Sequence, residues 1–414
     1  MAKLKSETRY RMFIDGEFAD TSSGKTIPVI NPSTEQVIAE VPGCTAADAD
    51  AAVLAAERAQ KAWAKRPAIE RAGYLHEIAE LVRANVDAIA HTISEEQGKI
   101  LPLSRVEAAF TADYFDYMAG FARRYMGEII QSDRANENIL LFKMPIGVIA
   151  GILPWNFPFF LIARKMAPAL VTGNTIIIKP SCDTPLNALL FANLVAKSSL
   201  PKGVFNLLTG RGSEVGNALA AHPKVGMVSL TGSVEGGIAV MRAASANVTK
   251  VSLELGGKAP AIVAPSANLD LAAASIHASR IINTGQVCNC AERVYVHESV
   301  AEPFLAKVTK LMKATTVGDV LAKPDIDMGP LINKQQLDSV AAAVGRAVKD
   351  GAKIVTGGKG STPERASISS RRCSRAAART PTSCSRRSSG RCCPSRPTRI
   401  STRRSRRPTT ASTA

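Results

Sequence analysis

Two cysteines separated by one residue, Cys288 and Cys290, lie in the segment GQVCNCAERV. Their spacing is compatible with a metal clip, half of a disulfide, a redox pair, or a nucleophile beside a bystander. A metal site needs about four ligands, and no histidine or further cysteine pair lies nearby at finger-like spacing. The pair also differs from the Cys-x-x-Cys of thioredoxin-like proteins. A nucleophile would require a base for the thiol proton and donors for an oxyanion.

Two distant segments contain side chains of the type that a cysteine nucleophile needs. Glu254 in LELGGK is a carboxylate in an otherwise apolar segment, where burial would raise its pKa toward that of a useful base. Asn156 in LPWNFP carries an amide group that can point at a developing oxyanion. Local hydrogen bonding would explain each residue equally well, and spacing alone does not bring the three segments together.

The chain around these residues predicts the elements that would position them. Short β-rich runs (GVIAGIL, NTIIIKP, GVFNLLTG and VGMVSLTGS) each precede a helix-compatible segment. This βαβα order predicts an α/β fold with a mostly parallel, doubly wound sheet. Helical spacing covers residues 46–65 and 67–97, an extended hairpin is expected near residues 127–147, and a second unit begins near LELGGKAPAIV.

Two strand-to-helix junctions contain glycines that suit a phosphate group. LLTGRGSEVG places Gly212 after a strand, and SLTGSVEGG places Gly232, Ser233 and Gly237 in the same way. Glycine permits close backbone approach, and the free N–H groups at a helix N-terminus attract phosphate. Lys179 in IIIKPSCDTP lies at a strand end, where its ammonium can reach a ribose or a phosphate. Neither loop matches the G-x-G-x-x-G fingerprint, and a tight turn alone would explain each one.

The composition describes a globular protein with an unusual final segment. The chain has 414 residues, 46% of them hydrophobic, which is enough for two or three domains. There is neither a signal-peptide-like start nor a stretch of roughly 20 apolar residues, so a cytoplasmic location without a membrane span is expected. The net charge is +17, but the first 360 residues carry 38 lysines and arginines against 34 acidic residues. We therefore expect no nucleic-acid or membrane partner for the body of the chain.

The remaining positive charge lies in residues 361–414, which hold 14 arginines and a single glutamate. This Ser/Arg-rich tail lacks helical or strand periodicity, and its composition predicts disorder. A basic nucleic-acid-binding arm is one interpretation. The preferred hypothesis is a one-base error in the reading frame between about Gly360 and Ala366. With suitable codons, the shifted frame encodes GFYFEPTVL over Ala366–Ser374 and EEIFGPVLP over Arg386–Pro394, which are segments typical of a folded protein.

Five motifs in order, PWNFP, GNTIIIKPS, SLTGSVEGG, LELGGKAPAIV and GQVCNCAERVYV, resemble the aldehyde dehydrogenase superfamily. The resemblance extends from about Tyr10 to Gly358, and its detail is similar to the branch that acts on lactaldehyde and glycolaldehyde. It implies an NAD(P)-binding domain at residues 1–255 with a bridging, oligomer-forming hairpin at 127–147. It also implies a partial catalytic domain at 256–360, followed by the tail at 361–414, which is the probable frameshift product.

In that family the cysteine of Gly-Gln-x-Cys is the nucleophile, which assigns the role to Cys288 and makes Cys290 the bystander. The resemblance implies that Cys288 attacks the aldehyde, that the Asn156 amide and the Cys288 N–H hold the oxyanion, and that hydride passes to the nicotinamide. Glu254 then activates water to hydrolyse the thioester, and Lys165 assists near the site. Arg164 is expected to bind a small polar 2-hydroxyaldehyde. The alternative within the superfamily passes the acyl group to CoA or phosphate, and Glu254 argues for hydrolysis.

The same resemblance implies a nicotinamide cofactor bound to residues at the strand ends. Its expected contacts are Leu153, Trp155, Lys179, Ser181, Cys182, Gly212, Gly232, Ser233, Gly237 and Leu255. Cys182 stands where NAD enzymes of the family often have a glutamate that binds the adenosine ribose. Losing that carboxylate removes a repulsion against a 2′-phosphate, so NAD is expected and NADP is compatible. No metal is expected.

Two departures from the family pattern concern the final segment. The family's second glutamate, which orders the nicotinamide ribose, would be encoded where Arg387 stands. The final catalytic-domain strands and the oligomerisation segment are expected to be missing, which would leave the 127–147 hairpin with unpaired edges. Intact relatives are expected to be homo-oligomers. An impaired enzyme or an inactive fragment is therefore the expectation for this chain as written.

Overall fold

The computed structural model describes residues 10–358, together with the backbone of two short strands in the tail. The strands are β1 (Met12–Ile14), β2 (Glu17–Ala19), β3 (Thr26–Ile30), β4 (Val37–Pro42), β5 (Glu128–Gln131), β6 (Asn138–Leu141), β7 (Val148–Ile152), β8 (Thr175–Lys179), β9 (Phe205–Leu207), β10 (Val225–Thr231), β11 (Lys250–Glu254), β12 (Pro260–Val263), β13 (Arg293–Val296), β14 (Ala352–Gly357), β15 (Arg372–Ala376) and β16 (Cys393–Pro397). The helices are α1 (Ala46–Lys65), α2 (Ala68–Arg83), α3 (Val86–Gln97), α4 (Leu101–Ala119), α5 (Phe160–Val171), α6 (Leu186–Val195), α7 (Asn217–Ala220), α8 (Val234–Ala244), α9 (Leu269–Ile281), α10 (Ala301–Ala314) and α11 (Lys334–Lys349).

The larger sheet has seven strands in the order β11-β10-β7-β8-β9-β1-β2. Strands β7 to β11 run parallel, and β1 and β2 add an antiparallel edge. Every residue of β7 and of β8 is buried, as expected for strands that helices cover on both faces. The predicted parallel, doubly wound α/β sheet is confirmed.

A buried arginine joins the helices that pack on this sheet. The guanidinium of Arg71 in α2 donates to Val171 O at 3.0 Å, to Ala64 O at 3.3 Å and to Arg66 O. These carbonyls lie at the C-terminal ends of α5 and α1, where the helix dipole favours positive charge. Arg71 therefore satisfies carbonyls that the two helices leave without internal partners. None of the helices in the described part of the chain is long and apolar enough to cross a membrane.

The second sheet begins after the chain leaves β11 at Glu254 and enters β12 at Pro260. Its order is β12-β13-β16-β15-β14, with β14 antiparallel to the other four strands. The division into domains at residues 255 and 256 stays a prediction, although the passage between sheets falls at the same place.

Two short parts of the tail form strands, whereas the sequence predicts a tail without regular structure. Strands β15 and β16 lie within residues 361–414, and β16 pairs with β13 as well as with β15. Such pairing depends on strands that are distant in the sequence, so the local composition of the tail does not predict it. The expected disorder of the rest of the tail, and most of the two re-framed segments, lie outside the described residues.

The hairpin of β5 and β6 projects apolar side chains into solvent. The two strands pair from Glu128 with Leu141 to Gln131 with Asn138. Ile129 is 82% exposed. The large side chains that are also exposed here are Met126, Ile130, Ile139, Leu140, Leu141, Phe142, Met144 and Ile146. Contiguous apolar surface of this kind marks an interaction site.

Candidate active site

The two cysteines occupy different environments although one residue separates them. Cys288 is exposed, whereas Cys290 is buried. The thiol of Cys290 donates to Gly285 O at 3.4 Å, and Arg280 Nη1 lies 3.2 Å from its sulfur. The interior therefore holds Cys290, and Cys288 is the thiol that a solute can reach.

An unusual turn precedes Cys288. Asn283, Thr284 and Gly285 have φ values of 46°, 59° and 74°, which places three successive residues in the left-handed region. That region costs a non-glycine residue about 1–2 kcal/mol, so surrounding contacts must maintain it. Thr284 Oγ1 donates to Gly329 O at 3.0 Å, and Gln286 Oε1 accepts from Ile332 N at 3.0 Å.

The same turn is bonded to Asn156, which lies after β7. Asn283 Nδ2 donates to Asn156 O at 3.0 Å, and Asn156 Nδ2 donates to Gln286 O at 2.8 Å. The side-chain oxygen of Asn156 accepts from Phe157 N at 3.0 Å, which fixes the orientation of the amide. An amide nitrogen carries two hydrogens, so one is left to donate to a further oxygen beside the cysteine loop.

The segment LELGG reaches the cysteine loop from the other side. A Cβ atom at Gly257 would lie 2.4 Å from Cys288 O, so only glycine fits here without movement of the backbone. Glu254, three residues earlier, ends β11 with its side chain 63% exposed, and the expected burial of this carboxylate is therefore wrong. The reason is that β11 is the edge strand of its sheet. Arg164 Nη2 lies 3.9 Å from Glu254 Oε1.

Lys165 follows Arg164 in α5 but points into the protein. It is buried, and its Nζ donates to Ser229 Oγ in β10 at 2.9 Å. Burial is the main cause that lowers the pKa of Lys165 to about 8, the charge of Arg164 contributes in the same direction, and Glu254 acts in the opposite direction. The ammonium is therefore a group that can change charge close to neutral pH.

An aromatic wall next to Arg164 was missed by the sequence reasoning. The ring of Phe160 lies 4.8 Å from that of Phe110 and 5.4 Å from that of Tyr114. Burial raises the pKa of Tyr114, and the charge of Arg164 opposes this rise, so the guanidinium lies close to the phenol. The available signal was the spacing of Phe110, Tyr114 and Tyr117 on one face of α4.

The N-terminus of α8 meets the ends of β10 and β11. Ser233 caps the helix by accepting from Gly236 N at 3.0 Å, and Gly232 N donates to Glu254 O at 2.9 Å. A Cβ atom at Gly237 would lie 2.8 Å from Leu255 Cδ2, so a larger residue would displace the Leu255 side chain where the helix packs against the LELGG segment. The site therefore offers a glycine-lined helix N-terminus beside Glu254.

The other residues expected to bind a cofactor follow β7, β8 and β9. Leu153 N donates to Lys179 O at 2.9 Å, which joins the ends of β7 and β8. Lys179 is buried with its Nζ on Pro180 O at 2.8 Å, and burial lowers its pKa. The thiol of Cys182 donates to Gly210 O at 3.0 Å.

Three further residues complete this set. Trp155 is half-buried immediately before Asn156, and Ser181 Oγ donates to Asp183 Oδ2 at 3.2 Å. Gly212 begins a short turn of π-helix, and a Cβ atom there would have no neighbour within 4 Å. The expected cofactor residues thus lie at the carboxyl ends of parallel strands or in the segments that follow them, where open α/β sheets bind ligands. Strands β9 and β10 are not neighbours in the sheet. Gly212, which follows β9, therefore lies apart from Ser233, which follows β10.

Within the described residues, no group of three or more His, Cys, Asp or Glu side chains is arranged to hold a metal ion. The carboxyl edge of the larger sheet and the cysteine loop of the second unit form the two sides of the candidate site.

Comparison with known proteins supports one family. The model of the aldehyde dehydrogenase family matches residues 18–369. Lactaldehyde dehydrogenase of Escherichia coli (strain K12) is 56% identical over 351 residues, which cover 85% of this chain and 73% of that relative. A crystal structure of the Escherichia coli lactaldehyde dehydrogenase superposes with a TM-score of 0.91, at 52% identity, over 93% of this chain and 81% of the other.

Two further relatives are named for other substrates. A structure of 3,6-anhydro-L-galactose dehydrogenase in complex with NAP has a TM-score of 0.89, at 39% identity, over 94% of this chain and 82% of the other. D-glyceraldehyde dehydrogenase (NADP(+)) of Picrophilus torridus is 40% identical over 349 residues, 84% of this chain and 70% of that relative. Both the sequence match and the shared fold extend over most of the chain. The chain therefore belongs to the aldehyde dehydrogenase family, which makes it an oxidoreductase by lineage.

Proposed function

We propose that this chain oxidises a small aldehyde to its carboxylic acid with NAD or NADP, with Cys288 as the nucleophile. The observation that carries the proposal is the pair of contacts at the cysteine loop. Asn156 is bonded to Gln286 two residues before Cys288, and the Gly257 backbone packs against the Cys288 carbonyl. Three segments distant in the sequence thus meet around one exposed thiol.

The first chemical step is attack of the Cys288 thiolate on the aldehyde carbon. A C–S bond forms, and the carbonyl π electrons become a negative charge on oxygen. The Asn156 N–H that is left over from the Gln286 contact can donate to this oxygen, together with the backbone N–H of Cys288. A preorganised amide of this kind is worth about 10²–10³ in rate.

A nicotinamide nucleotide, when bound, would supply the two-electron oxidant by accepting hydride, so that the Cys288 adduct could become a thioester. The residues that suit its phosphates are the N-terminus of α8 with its Ser233 cap and the glycine at 237, where a side chain would meet Leu255. These residues, and the ends of β7, β8 and β9, would hold the nucleotide.

Hydrolysis of the thioester requires a base for water. Glu254 is the carboxylate nearest to the Gly257 contact along the chain, and its exposure leaves it accessible to water. It takes the water proton as hydroxide adds to the acyl carbon, and the Cys288 thiolate then leaves. The buried Lys165 holds positive charge near Glu254 while it is protonated. Transfer to CoA or phosphate in place of water would make a thioester or an acyl-phosphate product.

For the substrate we propose a small 2-hydroxyaldehyde such as lactaldehyde or glycolaldehyde. Arg164 offers a donor for the hydroxyl, and the rings of Phe160 and Tyr114 beside it limit the room for a larger group. The names of two relatives, lactaldehyde dehydrogenase and D-glyceraldehyde dehydrogenase, support this class.

For the cofactor we propose that the chain accepts NADP as well as NAD. The thiol of Cys182 is engaged with Gly210 O and carries no carboxylate to repel a 2′-phosphate. A Cys182→Glu variant should raise the ratio of kcat/KM for NAD over that for NADP, and equal ratios in the two proteins would count against this assignment.

For the quaternary structure we propose a homo-oligomer that buries the exposed hairpin of β5 and β6. A replacement of Ile129 by lysine on its exposed surface should reduce the apparent mass in light scattering if the hairpin is the contact. An unchanged mass would contradict this role.

We also propose that the gene of this chain carries the one-base frame error described above. Strands β15 and β16 begin within the two re-framed segments, which supports a lineage in which those segments are sheet strands. Sequencing the DNA between about codons 355 and 370 tests the proposal, and codons that forbid the shifted translation would end it.

The function as a whole is tested by nucleotide reduction with glycolaldehyde and by analysis of the acid product, with and without CoA. Cys288→Ala should abolish turnover, whereas the matched control Cys290→Ala should keep most of it. We expect impaired turnover in the chain as written, so the corrected frame is assayed in parallel. Full turnover in Cys288→Ala would refute the mechanism, and an acyl-CoA product would favour the alternative acceptor.

A further inference from the structure

A lysine and a glutamate form an ion pair inside the protein, and neither has a role in the proposed mechanism. Lys99 lies in the connection between α3 and α4, and Glu107 lies in the second turn of α4. Both side chains are 0% exposed, and Lys99 Nζ contacts Glu107 Oε2. Taking two charges out of water carries a solvation cost that their attraction often does not recover, so stability alone is a weak reason for such a pair.

The lysine binds the residue that carries the proposed oxyanion amide. Lys99 Nζ donates to Asn156 O at 2.8 Å and lies 3.7 Å from the centre of the Phe157 ring. Asn156 O also accepts from Asn283 Nδ2, so two donors on opposite segments fix this one carbonyl. Rotation of the Asn156 backbone would therefore break contacts to both.

The glutamate binds the other end of the same segment. Glu107 Oε1 accepts from Phe159 N at 2.9 Å and from Phe160 N at 3.0 Å, at the start of α5. No side chain at the N-cap position of α5 caps the helix. The carboxylate from α4 supplies the missing acceptor and complements the helix dipole.

We propose that the Lys99–Glu107 pair is a positioning element for catalysis, which fixes residues 156–160 so that the Asn156 amide faces the oxygen of an aldehyde bound at Cys288. The inference rests on the proposed function, because it gives the pair its purpose. A displacement of about 1 Å in a catalytic group can cost about 10²-fold in rate, so a rigid anchor under the amide has a direct chemical consequence.

The structure provides a matched control for simple helix capping. Glu96 in α3 is also fully buried, and its carboxylate accepts from Leu186 N at 2.7 Å and Asn187 N at 2.8 Å at the start of α6. It caps a helix as Glu107 does, but it serves α6 and not the segment of Asn156. A Glu96→Gln variant therefore reports the effect of weakening a buried cap alone.

The test measures formation of the cysteine–aldehyde adduct without turnover, using the full chain and no nucleotide. Glycolaldehyde protects Cys288 from iodoacetamide when it forms a thiohemiacetal, and mass spectrometry counts the alkylated fraction. The half-protecting concentration of glycolaldehyde is compared in wild type, Lys99→Met, Asn156→Ala, the double variant and Glu96→Gln. Alkylation without aldehyde and the thermal midpoint report whether each variant keeps its fold.

We expect Lys99→Met and Asn156→Ala each to raise the half-protecting concentration about tenfold, which is less than the roughly 10²-fold cost in a full transition state. The double variant should show no further increase, because the lysine acts through the amide. Glu96→Gln should match wild type. If Lys99→Met does not fold, Glu107→Gln replaces it, since the amide oxygen retains the cap and the ion pair is lost.

If glycolaldehyde protects Lys99→Met as well as wild type but protects Asn156→Ala less well, the inference would be overturned and the proposed function would stand. Multiplicative losses in the double variant, or an equal loss in Glu96→Gln, would also overturn it. If glycolaldehyde protects Cys288 neither in the chain as written nor in the corrected frame, the proposed function would be refuted and the basis of the inference removed.

Discussion

Replacing Lys165 with methionine should change how the stability of the protein depends on pH. The ammonium is buried and bonded to Ser229 Oγ at 2.9 Å. Burial is the main cause that lowers its pKa from 10.5 to about 8, and the positive charge of Arg164 adds to the effect. The unfolded chain, in which water surrounds the ammonium, has the ordinary value.

The size and sign of the effect follow from these two values. The difference between 10.5 and about 8 corresponds to about 3–4 kcal/mol, at roughly 1.4 kcal/mol per pKa unit. Below about pH 8 both states hold the proton, and the folded state bears the cost of the buried charge. Between about pH 8 and 10.5 the folded state loses the proton while the unfolded state keeps it, so stability rises with pH. The stabilisation is complete above 10.5 and is lost as pH falls to about 8.

Urea unfolding at a series of pH values from about 7.5 to 10 measures the difference between wild type and Lys165→Met. Subtracting the free energy of unfolding of the variant from that of wild type removes the contribution of all other titrating groups. The free energy of unfolding of wild type relative to the variant should rise by about 2–3 kcal/mol over this range. Lys202→Met is the matched control, because Lys202 is exposed and its contact with Glu17 raises its pKa above the range. A difference for Lys165→Met that stays constant with pH would refute the reasoning.

Three further substitutions test separate parts of the structure. Arg71→Met should lower the free energy of unfolding by about 3 kcal/mol in urea, because it leaves carbonyls at two helix ends without donors; a loss below 1 kcal/mol would contradict this. Gly257→Ala should lower kcat about tenfold or more with little change in the thermal midpoint, because its Cβ would overlap Cys288 O; unchanged kcat would show that the close approach is dispensable. Thr45→Ala removes the capping box with Asp48 and should cost about 1 kcal/mol in thermal unfolding, and an unshifted midpoint would argue against it.

The larger sheet was predictable because its signal is local. Continuous β-branched runs such as TIIIK in β8 can be read within five residues, and each is followed by a helix. The ends of these strands follow from the same pattern, so the residues that follow them, from Lys179 to Ser233, could be assigned to one edge. Family resemblance then supplied the roles that position alone leaves open.

The missed features depend on contacts between distant segments. The exposure of Glu254 follows from the edge position of β11, which is set by strand order and not by the apolar residues around it. The ion pair of Lys99 and Glu107 spans eight residues and then reaches Asn156 across the fold. Charged residues in helical sequences are usually solvated, so nothing in the local pattern marks these two as buried.

The turn before Cys288 explains why the placement of this thiol, the proposed nucleophile, depends on the whole fold. Two of its residues, Asn283 and Thr284, hold left-handed conformations that cost about 1–2 kcal/mol each, and they persist only under outside restraint. One restraint is the Asn156 carbonyl next to the larger sheet, and another is the Gly329 carbonyl after α10. Released from either, the turn would relax and reorient Cys288 and the single residue that separates it from the buried Cys290. Exposure of Cys288, the proposed nucleophile, is thus a consequence of packing between the two units, which neither the spacing of the cysteines nor either unit alone determines.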